Sequence, residues 1–219
     1  MPTQLRRLIP LLLAAGWWLA GPARAEDRRL WLQQGVEAPL GETWRAGLLQ
    51  GFVLANESPH FSAYFAEGSV VRGKRPWLDL GGGYREQLEQ RDNHWLEESR
   101  LFALATLKWT WRDCACSDRN QVEWREMQER TDQVRYRNKL AVDLPARWSV
   151  GPLRPYVADE LFYDQESKEF LRNRIYVGLK GAPDPRLKLD LFAIWESSDT
   201  GVNERETVLI TGLKLVVPL

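Results

Sequence analysis

Apolar and charged residues alternate with a period of two along most of this sequence, in runs of about ten residues. In one run, Leu171, Ile175 and Val177 alternate with Arg172 and Arg174. Because successive side chains of a β-strand point to opposite faces of a sheet, each run predicts a strand with one apolar and one charged face. Beyond residue 25, no segment shows the longer period of an extended helix.

Clusters of turn-forming residues separate these runs, among them Ser117-Asp118-Arg119-Asn120 and Ala182-Pro183-Asp184-Pro185. The connections are short, which favours an antiparallel meander over crossover connections. Cys114 and Cys116 flank Ala115 just before one such cluster, where we expect an exposed turn with no disulfide and no metal. The predicted strands are 44–55, 60–71, 76–88, 94–111, 120–130, 133–143, 153–164, 170–181, 186–196 and 205–217, with a weaker one at 29–37.

The first 25 residues have the pattern of a cleaved signal peptide. Arg6 and Arg7 precede an apolar stretch, and Ala23-Arg24-Ala25 supplies the small residues that signal peptidase requires. Pro10 and the short length of the stretch disfavour a membrane-spanning helix. We therefore expect export, followed by a single domain over residues 26–219.

Three features favour a transmembrane β-barrel of ten to twelve strands, an all-β, up-and-down antiparallel fold. The runs have the length of a tilted strand that crosses a bilayer, their polar faces are charged, and the chain is exported. The chain also contains 11 Trp, a residue enriched at membrane interfaces. An even strand number is expected, with both termini in the periplasm, so that strand 29–37 is either a rim segment or one of twelve. A soluble periplasmic barrel that binds an apolar ligand is the alternative, with its apolar faces inside.

Several motifs, in order, resemble those of the domain-of-unknown-function 2490 family of Gram-negative outer-membrane barrels. They are Trp31-Leu32-Gln33, Gly83-Tyr84-Arg85, Glu97-x-x-Arg100, Glu123-x-Arg125, Tyr136-Arg137-x-Lys139-Leu140, Pro155-Tyr156-x-x-x-Glu160-x-Phe162 and Asn173-Arg174-x-x-x-Gly178-Leu179. The resemblance covers about residues 30–217 and implies a barrel in the cell outer membrane. Its partners would be outer-membrane lipid and, during biogenesis, the barrel assembly machinery. No activity is established for the family, and the oligomeric state is left open.

If the apolar faces contact lipid, a charged set faces the lumen. These residues would either interlock as a closed ionic core or line a small porin-like channel that prefers anions or carries oligosaccharides. The set is Arg85, Glu97, Arg100, Glu123, Arg125, Arg135, Arg137, Lys139, Glu160, Arg172, Arg174 and Lys180, with Glu160 included on the register of the family motif.

The sequence favours a protein that is not an enzyme. An outer-membrane lipid hydrolase is the alternative, but it would need a Ser or Thr nucleophile, a His base and an acid. The chain has only His60 and His94, and alternation places His94 and Ser99 on opposite faces. We expect no catalytic residues, no cofactor and no metal site. Equal numbers of basic and acidic residues, 30 each, argue against nucleic acid as a partner.

Overall fold

The computed structural model describes residues 27–55, 61–91, 94–128, 131–166, 168–199 and 205–219. Within these ranges the chain forms a closed barrel of eleven strands in sequential order, as the alternating pattern predicts. The predicted signal peptide, residues 1–25, lies outside the described residues. In the described ranges, no helix is both long enough and apolar enough to span a membrane.

Most of the strands are longer than those of ordinary soluble sheets, which usually have five or six residues. The predicted bounds of β2, β5, β7 and β8 match those of the structure. The strands are β1 (Asp27–Leu40), β2 (Trp44–Ala55), β3 (Phe61–Arg75), β4 (Leu78–Arg91), β5 (His94–Trp111), β6 (Cys114–Met127), β7 (Gln133–Asp143), β8 (Leu153–Asp164), β9 (Glu169–Asp184), β10 (Leu187–Asp199) and β11 (Arg205–Pro218). A short 3-10 helix at Ala146–Trp148 lies between β7 and β8.

The barrel closes where β1 meets β11, and this seam is parallel. Asp27 pairs with Val208 and Glu37 with Pro218, so the two strands run side by side over most of their length. The expected even strand number is therefore wrong. The weak strand at 29–37 is a full wall strand, and an odd number of strands in up-and-down order leaves the first and last strands parallel. As a consequence, the start of β1 and the end of β11 lie at opposite rims, not at the same one.

The start of β6 also differs from the prediction. The turn after β5 is at Arg112-Asp113, where Arg112 has a positive φ of 53°, and β6 then begins at Cys114. The segment 117–120 is therefore within a strand. Both cysteines are free thiols in β6, and Cys116 is buried, so the expected exposed turn is wrong.

We name the two ends of the barrel by their turns. The turn rim carries residues 41–43, 76–77, 112–113, 144–152 and 185–186, together with the end of β11. The opposite rim carries the start of β1 and the ends of the even-numbered strands β2 to β10.

Candidate functional site

The inner wall of the barrel is formed by every second residue of each strand, and it carries most of the charged residues. The Arg174 guanidinium lies 4.9 Å from the centre of the Trp31 ring, although β9 and β1 are separated by two strands. Such contacts between strands that are not neighbours require both side chains to point into the lumen. The lumen is therefore the site where charged groups from distant parts of the sequence meet.

Glu160, on β8, is fully buried at the centre of this cluster. Its carboxylate accepts hydrogen bonds from Arg119 Nη2 at 3.0 Å, from Arg137 Nη2 at 2.8 Å and from the Tyr176 hydroxyl at 2.6 Å. A carboxylate removed from water is stable only when opposite charge and hydrogen bonds replace its hydration. Glu160 has both, from side chains on three other strands.

A second buried carboxylate, Glu123 on β6, is joined to the first through Arg137. Arg137 donates one hydrogen bond to Glu123 at 2.6 Å and another to Glu160, so one guanidinium bridges two carboxylates. Arg135 donates to Glu123 from Nε at 2.8 Å and from Nη2 at 2.5 Å, and Gln121 donates at 2.9 Å. The planar fork of arginine suits such multiple contacts.

Three further carboxylates surround this centre, and each contacts one or two arginines. Arg85 donates to Glu67 at 2.6 Å and 2.8 Å, and Arg174 donates to Glu196 at 2.5 Å. Glu98 accepts hydrogen bonds from two arginines: from Arg100 Nε at 2.5 Å, Arg100 Nη2 at 2.8 Å and Arg125 Nε at 2.5 Å. Each of these carboxylates is thus paired with at least one arginine, while cations outnumber acids on the inner wall.

Aromatic rings fill the space that the ion pairs leave. The ring of Phe162, which is 2% exposed, is surrounded by four guanidinium groups. Their distances to the ring centre are 5.3 Å for Arg135, 4.8 Å for Arg137, 5.8 Å for Arg172 and 4.9 Å for Arg174. A ring face attracts cations, so Phe162 separates the four positive charges and also stabilises them.

Glycines make room for other inward rings. A Cβ atom added to Gly178 would lie 2.6 Å from the Tyr156 ring, and one added to Gly83 would lie 2.6 Å from the Phe102 ring. The rings pack directly on the backbone of neighbouring strands and so narrow the lumen.

The structure places the predicted lumen residues as follows. Arg85, Arg100, Glu123, Arg125, Arg135, Arg137, Lys139, Glu160, Arg172, Arg174 and Lys180 lie on the inner wall. The prediction for Glu97 is wrong: it is exposed on the outer face, because it is three positions from Arg100 and strand faces alternate with a period of two. The inward carboxylate of that strand is Glu98.

Glu67, Glu98, Arg119 and Glu196 are lumen residues that were absent from the predicted set. Arg119 was missed because its segment was interpreted as a turn. Glu67 and Glu196 were missed because their partners are on other strands, directly opposite at Arg85 and Arg174. Glu98 was missed because Glu97 was assigned to its face of β5. Continuing the alternation through each predicted strand would have identified them.

Within the described ranges, the lumen opens at the turn rim into a cavity of about 540 Å³. Basic and acidic side chains line its wall, and the buried rings of Tyr156 and Phe192 occupy the next inward positions on β8 and β10, towards the centre. Its charged lining consists of Glu37, Asp143, Arg154, Lys180, Lys188, Asp190 and Lys214.

The outer wall has the opposite character. Leu48, Leu101 and Ile175 are among many large apolar side chains that are exposed there. Every tryptophan in the described ranges except Trp31 is also exposed. Those near the turn rim are Trp44, Trp77, Trp109, Trp111 and Trp148, and those towards the other rim are Trp95, Trp124 and Trp195.

Polar residues interrupt this outer wall in several places, among them Asp159 with Asn173, Glu86 with Ser99, and a group on β6 and β7. Asn138 donates to Asp118 at 2.5 Å and to Asn120 at 3.2 Å, and Tyr136 also donates to Asn120. These groups satisfy one another, with Val122 and Leu140 beside them on the same face.

The family model described as Protein of unknown function (DUF2490) matches residues 28–207, so the chain belongs to that family. The resemblance drawn from the sequence motifs is confirmed. No curated protein matches the chain. Among solved structures, the chain is similar to the anion-selective porin from Comamonas acidovorans, at 14% sequence identity and a TM-score of 0.40. The match covers 82% of this chain and 53% of the porin, so this chain spans about half of the porin's length.

Proposed function

We propose that this member of the DUF2490 family is an outer-membrane β-barrel whose lumen is closed near its middle by an ionic core. By ionic core we mean the inward carboxylates Glu98, Glu123, Glu160 and Glu196 with the arginines that contact them. The observation that carries the proposal is the complete burial of Glu160 beneath Arg119, Arg137 and Tyr176, which project into the lumen from three other strands. The barrel then acts in the membrane as a non-conducting body with a charged cavity at one mouth.

The outer wall supports placement in a membrane. Exposed leucine, valine and isoleucine cover the middle of the strands, and exposed tryptophans are concentrated towards both rims. Membrane barrels have this apolar band with an aromatic girdle at each interface, because the tryptophan ring has an apolar body and a polar edge. A closed barrel also leaves no unpaired strand edge in lipid.

The arrangement of the two walls opposes the soluble alternative. A soluble barrel that binds an apolar ligand needs its apolar faces inside and its charges outside. Here Glu123 and Arg137 are inside, and Leu101 and Trp124 are outside. Exposed apolar area on this scale in water would promote aggregation.

The contacts within the ionic core support a closed lumen. Eleven strands enclose more space than the eight that side chains alone can fill, so closure requires large side chains held in place. Arginine supplies the volume, and each carboxylate fixes one or more guanidinium groups. Breaking such a buried pair from one side costs about 3–5 kcal/mol, which disfavours spontaneous opening.

A second candidate is a small channel that prefers anions. The cavity at the turn rim favours it, because Arg154, Lys180, Lys188 and Lys214 outnumber the three acids there. Charged rings of this kind select anions in pores. Conduction would also require Arg137 and Phe162 to move out of the lumen.

We also propose that the barrel has no catalytic role. A hydrolase would need a histidine next to a hydroxyl nucleophile. His94 and Ser99 lie on opposite faces of β5, and His60 lies outside the described residues.

The test uses protein refolded into lipid vesicles. Lipids brominated at different depths of the acyl chain should quench the tryptophan fluorescence most strongly at the interfacial depths. The same vesicles should retain entrapped chloride and small sugars as long as protein-free vesicles do. Absence of quenching would reject the membrane placement, and rapid release would reject the closed lumen in favour of the channel.

A further inference from the structure

The cavity at the turn rim contains a row of four charged residues that lie side by side on consecutive strands. Arg154 on β8 pairs directly with Lys180 on β9, Lys180 with Asp190 on β10, and Asp190 with Lys214 on β11. Directly opposite residues on one face of a sheet have Cβ atoms about 4.5–5.5 Å apart. The row therefore brings three cations and one carboxylate together at the cavity wall.

Part of this charge is neutralised by neighbours. Lys180 Nζ lies 2.6 Å from Asp143 Oδ1, and Lys188 Nζ lies 2.5 Å from Glu37 Oε2. In the described part of the chain, no carboxylate oxygen comes within 4.0 Å of the charged nitrogens of Arg154 or Lys214. Two cations of the row are thus left without an ion-pair partner.

Asp190 is an acceptor that lacks a donor. Its Oδ1 atom is buried and has no hydrogen-bond partner among the described residues. A buried acceptor without a donor costs about 1–3 kcal/mol, and like charges placed directly opposite each other are also unfavourable. The row therefore contains two unused cationic donors and one unused acceptor around a single cavity.

The cavity has the size of a small-molecule site. Its volume of about 540 Å³ is within the usual range of about 300–1,000 Å³ for ligand pockets. Tyr156 and Phe192 are buried at the next inward positions, so the cavity is blocked on the side of the ionic core. A molecule that enters from the turn rim would bind there without passing through.

We propose that this cavity binds a small hydroxylated anion, of the class of sugar phosphates and sugar acids. The anionic group would lie between Arg154 and Lys214, where it replaces the missing carboxylate partner of each. A hydroxyl group of the same molecule would donate a hydrogen bond to the Asp190 carboxylate, which lines the cavity. Binding at this site goes beyond the proposed function, because it requires neither conduction nor a change in the ionic core.

The test is titration calorimetry of the refolded protein at low salt with three probes: glucose 6-phosphate, glucose and inorganic phosphate. Glucose 6-phosphate is expected to bind at least about tenfold more tightly than either of the others, because only it has both chemical groups. Equal binding of glucose 6-phosphate and inorganic phosphate would overturn the assignment of Asp190. No binding of glucose 6-phosphate would overturn the proposal, and none of these results depends on a variant.

Variants then locate the site. Arg154→Gln and Lys214→Met should each weaken glucose 6-phosphate binding by about tenfold or more, since each removes one charged hydrogen bond. Asp190→Asn should reduce the preference for glucose 6-phosphate over inorganic phosphate. Arg147→Gln is the matched control, because Arg147 is at the same rim but forms an exposed pair with Asp113. If binding survives Arg154→Gln and Lys214→Met in correctly folded protein, the site lies elsewhere and the proposal fails.

Discussion

The ionic core and the cavity at the turn rim are built from the same residue types on the same inner wall, but they differ in how completely charges are paired. In the core, Glu160 receives three hydrogen bonds and Glu123 receives bonds from three side chains. In the cavity, Arg154 and Lys214 have no carboxylate within 4.0 Å in the described ranges, and Asp190 retains a buried unpaired oxygen. Charged groups that have all their partners stabilise the fold, whereas charged groups without a partner are available to a ligand.

Directly opposite cations occur in both regions. In the core, Arg85, Arg100 and Arg125 lie side by side on β4, β5 and β6, and each donates a hydrogen bond to a carboxylate, either Glu67 or Glu98. In the cavity, Arg154 and Lys180 are also opposite each other, but Arg154 has no such carboxylate in the described ranges. The difference therefore depends on whether a carboxylate lies within reach of each cation.

The largest expected effect is at Glu160. Glu160→Gln should lower the free energy of unfolding by about 3–5 kcal/mol, because Arg119 and Arg137 would lose their shared negative partner in a buried site. Guanidinium unfolding in detergent micelles measures the change. Glu97→Gln is the matched control on the exposed face and should change stability by less than about 0.5 kcal/mol. Equal effects of the two substitutions would contradict the distinction between the walls.

Phe162→Ala should be the next most damaging change, at about 3 kcal/mol, because it removes a buried ring and leaves four arginines facing a cavity. The same unfolding assay applies. Phe162→Leu keeps much of the side-chain volume but loses the cation–ring attraction, so it should lower the free energy of unfolding clearly less than Phe162→Ala does. If the two variants were equally stable, the ring volume would not be what fills the lumen.

A smaller effect is expected at the boundary between the core and the cavity. Gly178→Ala would place a methyl group 2.5 Å from the Leu191 carbonyl oxygen and 2.6 Å from the Tyr156 ring, at a cost of about 1–3 kcal/mol. Gly68→Ala has only one contact, at 3.6 Å, and is the control for strand glycines. The temperature at which the folded band is lost in gel electrophoresis distinguishes the two variants. If Gly178→Ala does not change this temperature, the lumen is loosely packed at that position.

The smallest expected effect has the opposite sign. Lys214→Met should leave stability unchanged or raise it by up to about 1 kcal/mol in the absence of ligand, because it removes a partly buried cation that has no carboxylate oxygen within 4.0 Å in the described ranges. A loss comparable with that of Glu160→Gln would show that the cavity is as fully paired as the core.

Much of the fold could be predicted because alternation is a local property of each strand. The bounds of β2, β5, β7 and β8 followed from it directly. Strand β6 was misplaced because Asp118 and Asn120, which resemble turn residues, are outward residues that bond to Asn138 on the next strand. The closing of β1 on β11 depends on pairing between the ends of the chain, which no local pattern encodes.

The site was predicted in part, and for a related reason. The inward arginines of β7 and β9 are conspicuous because they alternate with apolar residues. Within the ionic core, an arginine and its carboxylate lie up to 41 positions apart in sequence, as Arg119 on β6 and Glu160 on β8 do, so the pairing depends on the register between strands. Glu97 was assigned inward together with Arg100, although their spacing of three positions is incompatible with a shared strand face.

The most direct test of a closed membrane barrel is single-channel recording of the refolded protein in a planar bilayer, with insertion verified by the bromolipid quenching described above. The ionic core predicts inserted protein without steady openings at moderate voltage. Regular openings that scale linearly with voltage and select for anions would contradict it and establish an open pore.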